Sequence, residues 1–93
     1  MYSIETTNQF EKNYACCKSR GYDMSIIHTA IEILEQSGTL PVKPYKTHKL
    51  KGKYSGLWEA HLLPDWLIVW SINKKEITIL LTHTGTHSDL FKK

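Results

Sequence analysis

Trp66-Leu67-Ile68-Val69-Trp70 is the most apolar run of the chain, and turn-forming residues bound it on both sides, Leu63-Pro64-Asp65 before and Asn73-Lys74-Lys75 after. Continued to Ile72, the run is apolar in both parities, so it has to be covered on both faces, which predicts a central strand. Its neighbours follow. Leu57–Leu62 alternates, with Trp58, Ala60 and Leu62 on one face and Leu57, Glu59 and His61 on the other. Glu76–His83 is rich in Ile, Thr and Leu and predicts the next strand, after a polar turn of hairpin length.

The N-terminal half reads as helical after a short first strand at Tyr2–Glu5. Thr6 followed by Gln9 has the spacing of a capping box, which predicts a helix start. Phe10, Tyr14 and Cys17 then share one stripe, and Gly21 is a suitable stop. Asp23 caps a second helix whose core stripe is Met24, Ile27, Ile31 and Leu34, widened by Ile26, Ala30 and Ile33, with His28 at its boundary. Ser37-Gly38 ends it, and so short a link makes the two helices antiparallel neighbours. Thr39 to Tyr54 shows no periodicity, and Ser88-Asp89-Leu90-Phe91 ends the chain in a brief helical turn after the Thr84-Gly85-Thr86 turn. The order β-α-α-β-β-β predicts one α+β domain over residues 1–93, with both helices on one face of a small antiparallel sheet. The other face is left for a ligand or partner.

Charge is concentrated rather than large. The net charge is only +3, but between Ser37 and Trp58 five lysines (Lys43, Lys46, Lys49, Lys51, Lys53) occur with no acid. That is the electrostatic footprint of a polyanion-binding loop, and Tyr45, His48 and Tyr54 interleave aromatic and imidazole rings with it. The cysteines, Cys16 and Cys17, are adjacent, which excludes a long-loop disulfide and a zinc-finger spacing. Met1-Tyr-Ser-Ile-Glu has neither a basic start nor an apolar stretch, and the longest apolar run is five residues, so the expectation is a cytoplasmic protein without a membrane partner.

His48, His61 and His87, three of five histidines, fall outside the helices and near the basic loop, and Asp65 stands four residues after His61. Imidazole gives and takes protons near neutrality. Such groups around a phosphodiester suffice to cleave RNA without metal: a base removes the 2′-hydroxyl proton, an acid protonates the leaving 5′-oxygen, and cations stabilise the pentavalent charge. DNA lacks that internal nucleophile. No cofactor or metal is expected, since His83 and His87 are four apart with Gly85 between them and no other ligand pair has motif spacing.

Three segments carry a resemblance: Tyr45-Lys-Thr-His-Lys-Leu-Lys-Gly, Glu59-Ala-His-Leu-Leu-Pro-Asp-Trp and Thr84-Gly-Thr-His-Ser-Asp-Leu-Phe. In that order and spacing the chain resembles the RelE/ParE superfamily of toxins from bacterial toxin–antitoxin modules, and most closely its YafQ-type branch. The resemblance implies a RelE-like microbial ribonuclease fold and a ribosome-dependent mRNA endonuclease (mRNA interferase) held in check by a cognate antitoxin, itself small and encoded adjacently. It places His48, His61, Asp65 and His87 on the branch's catalytic positions and Phe91 on an aromatic position near the site. With Lys46, Lys49, Lys51 and Lys53, the residues Trp66, His83 and Phe91 are expected to contact RNA. His83 stands where related toxins often carry arginine, and its strand parity with Ile77, Ile79 and Leu81 directs it toward the core instead. Within the site, His87 is expected to be the proton donor and Asp65 or His61 the acceptor. Two other functions fit the same chain: a non-catalytic superfamily member that inhibits a protein such as DNA gyrase, and a passive basic RNA-binding module. The first needs no histidine set, and the second binds RNA without making new ends.

Overall fold

The computed structural model describes residues 1–91. β1 (Ser3–Thr6) leads into α1 (Asn8–Ser19) and α2 (Met24–Ser37), followed by a helical turn, α3 (Val42–Tyr45), and a two-residue strand, β2 (His48–Lys49). A 3-10 turn at Gly52–Tyr54 precedes β3 (Trp58–Leu63), β4 (Trp66–Asn73) and β5 (Thr78–Gly85), and α4 (His87–Leu90) is the last element. The sheet order is β1-β5-β4-β3-β2, so the apolar run does form an interior strand. Residues Trp66 to Trp70 of that strand are all buried.

The helices lie on one face of this sheet, as expected. Phe10 and Cys17 of α1 and Ile27, Ala30 and Leu34 of α2 pack with Ala60, Leu62, Trp66, Ile68, Trp70, Ile79 and Leu81 in one core. Burial of such side chains stabilises a small domain by roughly 1.5–3 kcal/mol each. α1 starts one residue later than the capping-box spacing predicts. Thr7, not Thr6, is the cap: its Oγ1 accepts the Phe10 N–H at 3.0 Å and donates to the Thr82 carbonyl at 3.0 Å. Thr6 is taken by β1. α2 begins as expected, with Asp23 Oδ1 accepting the Ser25 N–H at 3.1 Å. It closes on Gly38 at φ +80°, where a Cβ would sit 2.6 Å from the Tyr2 ring, so only glycine fits.

Three details depart from the sequence reading. The sheet is mixed, because β1 runs parallel to β5, pairing Ile4 with Ile79, while the other pairs are antiparallel. The helix pair returns the chain to the far side of the sheet, and a connection through helices permits parallel pairing. The segment 39–54, expected to be without regular structure, contains β2, which pairs His48 with Glu59 and Lys49 with Trp58. β5 begins at Thr78 rather than Glu76, because Asn73 Oδ1 accepts the Glu76 N–H at 3.0 Å and Ile77 is left-handed at φ +54°. Among the described residues no helix is long and apolar enough to cross a membrane.

Candidate active site

The face of the sheet away from the helices carries the polar groups. The pairings His48↔Glu59, Glu59↔Val69 and Val69↔His83 set these four residues in one row across β2, β3, β4 and β5. The next row is His61↔Leu67↔Gly85, and the chain leaves Gly85 into α4, whose first residue is His87. Three imidazoles therefore line up: His48 and His61 have ring centroids 6.3 Å apart, and His61 and His87 5.7 Å.

Each end of the line is held by a carboxylate. Glu59 is only 5% exposed, and its Oε1 lies 3.2 Å from His48 Nε2 and 3.7 Å from His61 Nε2. On its other side His48 Nδ1 lies 2.8 Å from the Lys46 carbonyl oxygen. Both nitrogens of His48 thus lie beside oxygen atoms that fix the direction of the ring. At the far end, Asp65 Oδ1 accepts the His87 backbone N–H at 3.1 Å and the His87 Nδ1–H at 2.7 Å. Those two hydrogen bonds hold the Asp65 carboxyl below its usual range. Asp65 is therefore a weak proton acceptor and a strong orienter. Its bond at Nδ1 leaves His87 Nε2 free to meet a substrate.

The structure brings His48, His61, Asp65 and His87 together, as expected from sequence. Phe91 is near them through α4 and meets the Tyr54 ring edge-on at 5.1 Å. Lys46, Lys49, Lys51 and Lys53 are all exposed on the segment that carries His48. Lys49 Nζ lies 5.4 Å from the Trp58 ring centre, and Lys53 Nζ the same distance from that of Tyr54. A cleft of about 250 Å³ lined by Pro44, Lys46, His61, Leu62, Leu63 and Pro64 opens directly beside His61.

Trp66 does not belong to this surface. It is 1% exposed, its indole N–H donates to Thr84 Oγ1 at 2.9 Å, and Tyr22 packs edge-on against it at 4.8 Å. It falls on the same alternation along β4 as Ile68 and Trp70, which face the helices, so it is a core residue and not an RNA contact.

His83 does lie on the site face, against its parity with Leu81. The register shifts between Val69↔His83 and Trp70↔Leu81, which leaves Thr82 as an extra residue and reverses the facing of all that follows. Burial pushes the His83 imidazole below its ordinary value, so it is neutral near pH 7 and does not reproduce an arginine's fixed charge.

Glu59 is the functional candidate that residue type and clustering did not single out. Its signal is present in the sequence: the one carboxylate of its strand, two residues before His61 and on the same face. Its partner His48 comes from β2, which no periodicity announces. Among the described residues no group of three or more His, Cys, Asp or Glu side chains is arranged to hold a metal ion.

With this geometry stand the similarities to known proteins. A family model described as the bacterial toxin of type II toxin–antitoxin system, YafQ, matches residues 2–92. The mRNA interferase toxin YafQ of Escherichia coli K12 is 33% identical over 89 residues, which cover 95% of this chain and 94% of that protein. A metal-bound toxin from Helicobacter pylori has a TM-score of 0.88 at 37% identity, covering 98% of this chain and 100% of that one. A chain of the E. coli DinJ–YafQ complex has a TM-score of 0.86 at 29% identity, covering 98% and 99%.

Proposed function

Because the chain belongs to the YafQ family of toxins from bacterial type II toxin–antitoxin systems, we propose that it is an mRNA endoribonuclease whose protons are moved by His61 and His87 of the His48–His61–His87 line, on messages engaged by the ribosome. The observation that carries this reading is the separation of anchors. Glu59 lies at one end of the imidazole line and Asp65 at the other, so the end rings are oriented by different carboxylates and the gap between His61 and His87 is left for substrate.

In this scheme the scissile phosphate lies between His61 and His87, whose ring centroids are 5.7 Å apart. His61 takes the proton of the 2′-hydroxyl, and the 2′-oxygen attacks phosphorus. The bond to the 5′-oxygen breaks as His87 Nε2 delivers its proton to that oxygen. The products are a 2′,3′-cyclic phosphate and a 5′-hydroxyl. Asp65 holds His87 in the tautomer that presents Nε2. His48, fixed by Glu59 and the Lys46 carbonyl, serves as a cation beside the developing phosphorane. The exposed lysines gather the RNA backbone. The scheme needs no metal ion.

The partner that silences the enzyme is a cognate antitoxin protein, a reading supported by the E. coli toxin of this family having been crystallised in complex with DinJ. The test is to induce the protein in a translating extract and map new 5′ ends on a reporter mRNA. Wild type gives discrete ends within translated sequence. His87→Ala, folded and antitoxin-binding, loses about 10²–10⁴ of the rate, and His87→Gln nearly as much, since it cannot deliver a proton. Full cleavage by His87→Gln would remove His87 from the acid role.

A further inference from the structure

α4 is four residues long, too short to hold its own shape. The aim of His87, its first residue, therefore depends on what pins that turn. Asp65 pins it from the β3–β4 turn. A second tie comes from α1. Arg20, the residue that closes α1, donates from Nη1 to Asp89 Oδ2 at 2.8 Å and from Nη2 to Asp89 Oδ1 at 3.2 Å, a two-pronged contact between residues 69 positions apart. Asp89 also works within the turn. Its Oδ2 accepts the Thr86 N–H at 3.0 Å, while Thr86 Oγ1 accepts the Asp89 N–H at 3.1 Å.

Gly85 completes the seat. It has φ +147°, and a Cβ there would stand 2.9 Å from Asp89 Oδ2, so the backbone just before α4 lies tight against the same carboxylate. The pairing holds the Asp89 carboxyl well below the usual carboxylate range and the Arg20 guanidinium above its own. Both groups stay charged wherever the protein works. The contact joins two elements that already face each other across β5, since α1 packs on that strand and α4 leaves its end.

Resting on the reading of His87 as proton donor, we propose that Arg20 and Asp89 are positioning residues: a clamp from the end of α1 that fixes the direction of the His87 ring. Neither touches the RNA. A catalytic group displaced by about 1 Å can lose up to about 100-fold in rate, whereas a partly exposed ion pair contributes little to overall stability. The clamp thus separates activity from folding.

The test uses the full chain with Arg20→Met, Arg20→Lys and Asp89→Asn. Asp89→Asn keeps an oxygen for the Thr86 N–H and removes only the charge that Arg20 grips. Single-turnover cleavage on mRNA-programmed ribosomes should fall about 10- to 100-fold for Arg20→Met and Asp89→Asn. Affinity for the programmed ribosome and melting temperature should change little, and Arg20→Lys, able to donate from one nitrogen, should fall between. The second readout is the titration of the Asp65 carboxyl by NMR, which needs no RNA.

Removing the Asp89 charge by itself would lower the Asp65 value, because that charge raises it. Loosening His87 removes the two hydrogen bonds that depress Asp65, and so raises it. A rise in Asp89→Asn supports the clamp; a fall, or wild-type cleavage by all three variants, overturns it. Should His87→Ala cleave like wild type, the reading of the active site fails, and the Asp65 titration still decides whether Arg20 and Asp89 fix His87.

Discussion

Replacing Glu59 by glutamine should lower cleavage without unfolding the protein. The side chain is 5% exposed, and its Oε1 lies 3.2 Å from His48 Nε2 with His61 Nε2 only 3.7 Å away. Glutamine has nearly the same shape, retains one acceptor oxygen, and loses the charge. An ion pair with a half-exposed ring contributes up to about 1 kcal/mol. If that interaction fixes His48 beside the transition state, its loss corresponds to up to roughly 5-fold in rate. Stability should move the other way or stay level, because a buried carboxylate is costly to desolvate and the amide is less so. The assay is single-turnover cleavage of a reporter mRNA on ribosomes, paired with thermal denaturation of the same preparations. A Glu59→Gln protein that cleaves at the wild-type rate would refute the reasoning: the buried carboxylate would then be a structural group with no part in aligning the histidines.

Two further outcomes follow from the charge distribution. Changing Lys49, Lys51 and Lys53 together to glutamine should flatten the dependence of RNA affinity on salt, by about 0.7 in log–log slope for each phosphate the protein no longer neutralises, with the melting temperature unchanged; binding titrations at several salt concentrations measure it, and an unaltered slope would take the segment out of the RNA surface. The Arg20–Asp89 pair should give an acid-sensitive share of stability. Asp89 has a folded-state value below its unfolded one, so its contribution is fully present at neutral pH, fades as pH falls past the ordinary carboxylate value of about 4, and is lost toward the depressed value. Denaturation from pH 7 downward should therefore destabilise wild type more steeply below about pH 4 than Asp89→Asn, and parallel curves would contradict the pairing.

The architecture is legible in the sequence where the signal is local. The apolar run at Trp66–Trp70, the cap at Asp23 and the helix stop at Gly38 each rest on neighbouring residues, and each appears as read. What escapes depends on pairing between distant segments. Nothing in Ser3–Thr6 states that it will lie beside Thr78–Leu81, or in which direction. β2 is two residues long and is recognisable as a strand only through Glu59 and Trp58 opposite it. The facing of His83 turns on a single extra residue, Thr82, which alternation cannot reveal.

The site shows the same division. That His48, His61, Asp65 and His87 come together is evident from residue type and clustering, and their motif spacing carries the family resemblance. Their division of labour is not, because it rests on which carboxylate each ring meets. Asp65, one of two expected proton acceptors, is occupied with His87. Trp66 shares the apolar character of an RNA-stacking residue, yet Thr84 and Tyr22 claim it for the core.

In the proposed reaction RNA is cut by its own 2′-hydroxyl, with His61 and His87 moving the protons. End-group analysis of cleaved reporter mRNA tests it most directly. Cleavage by this route leaves 2′,3′-cyclic phosphate and 5′-hydroxyl ends, and gives no cut where a 2′-deoxynucleotide replaces the nucleotide at the scissile bond. A 5′-phosphate with a 3′-hydroxyl, or a cut at the 2′-deoxy position, would contradict it.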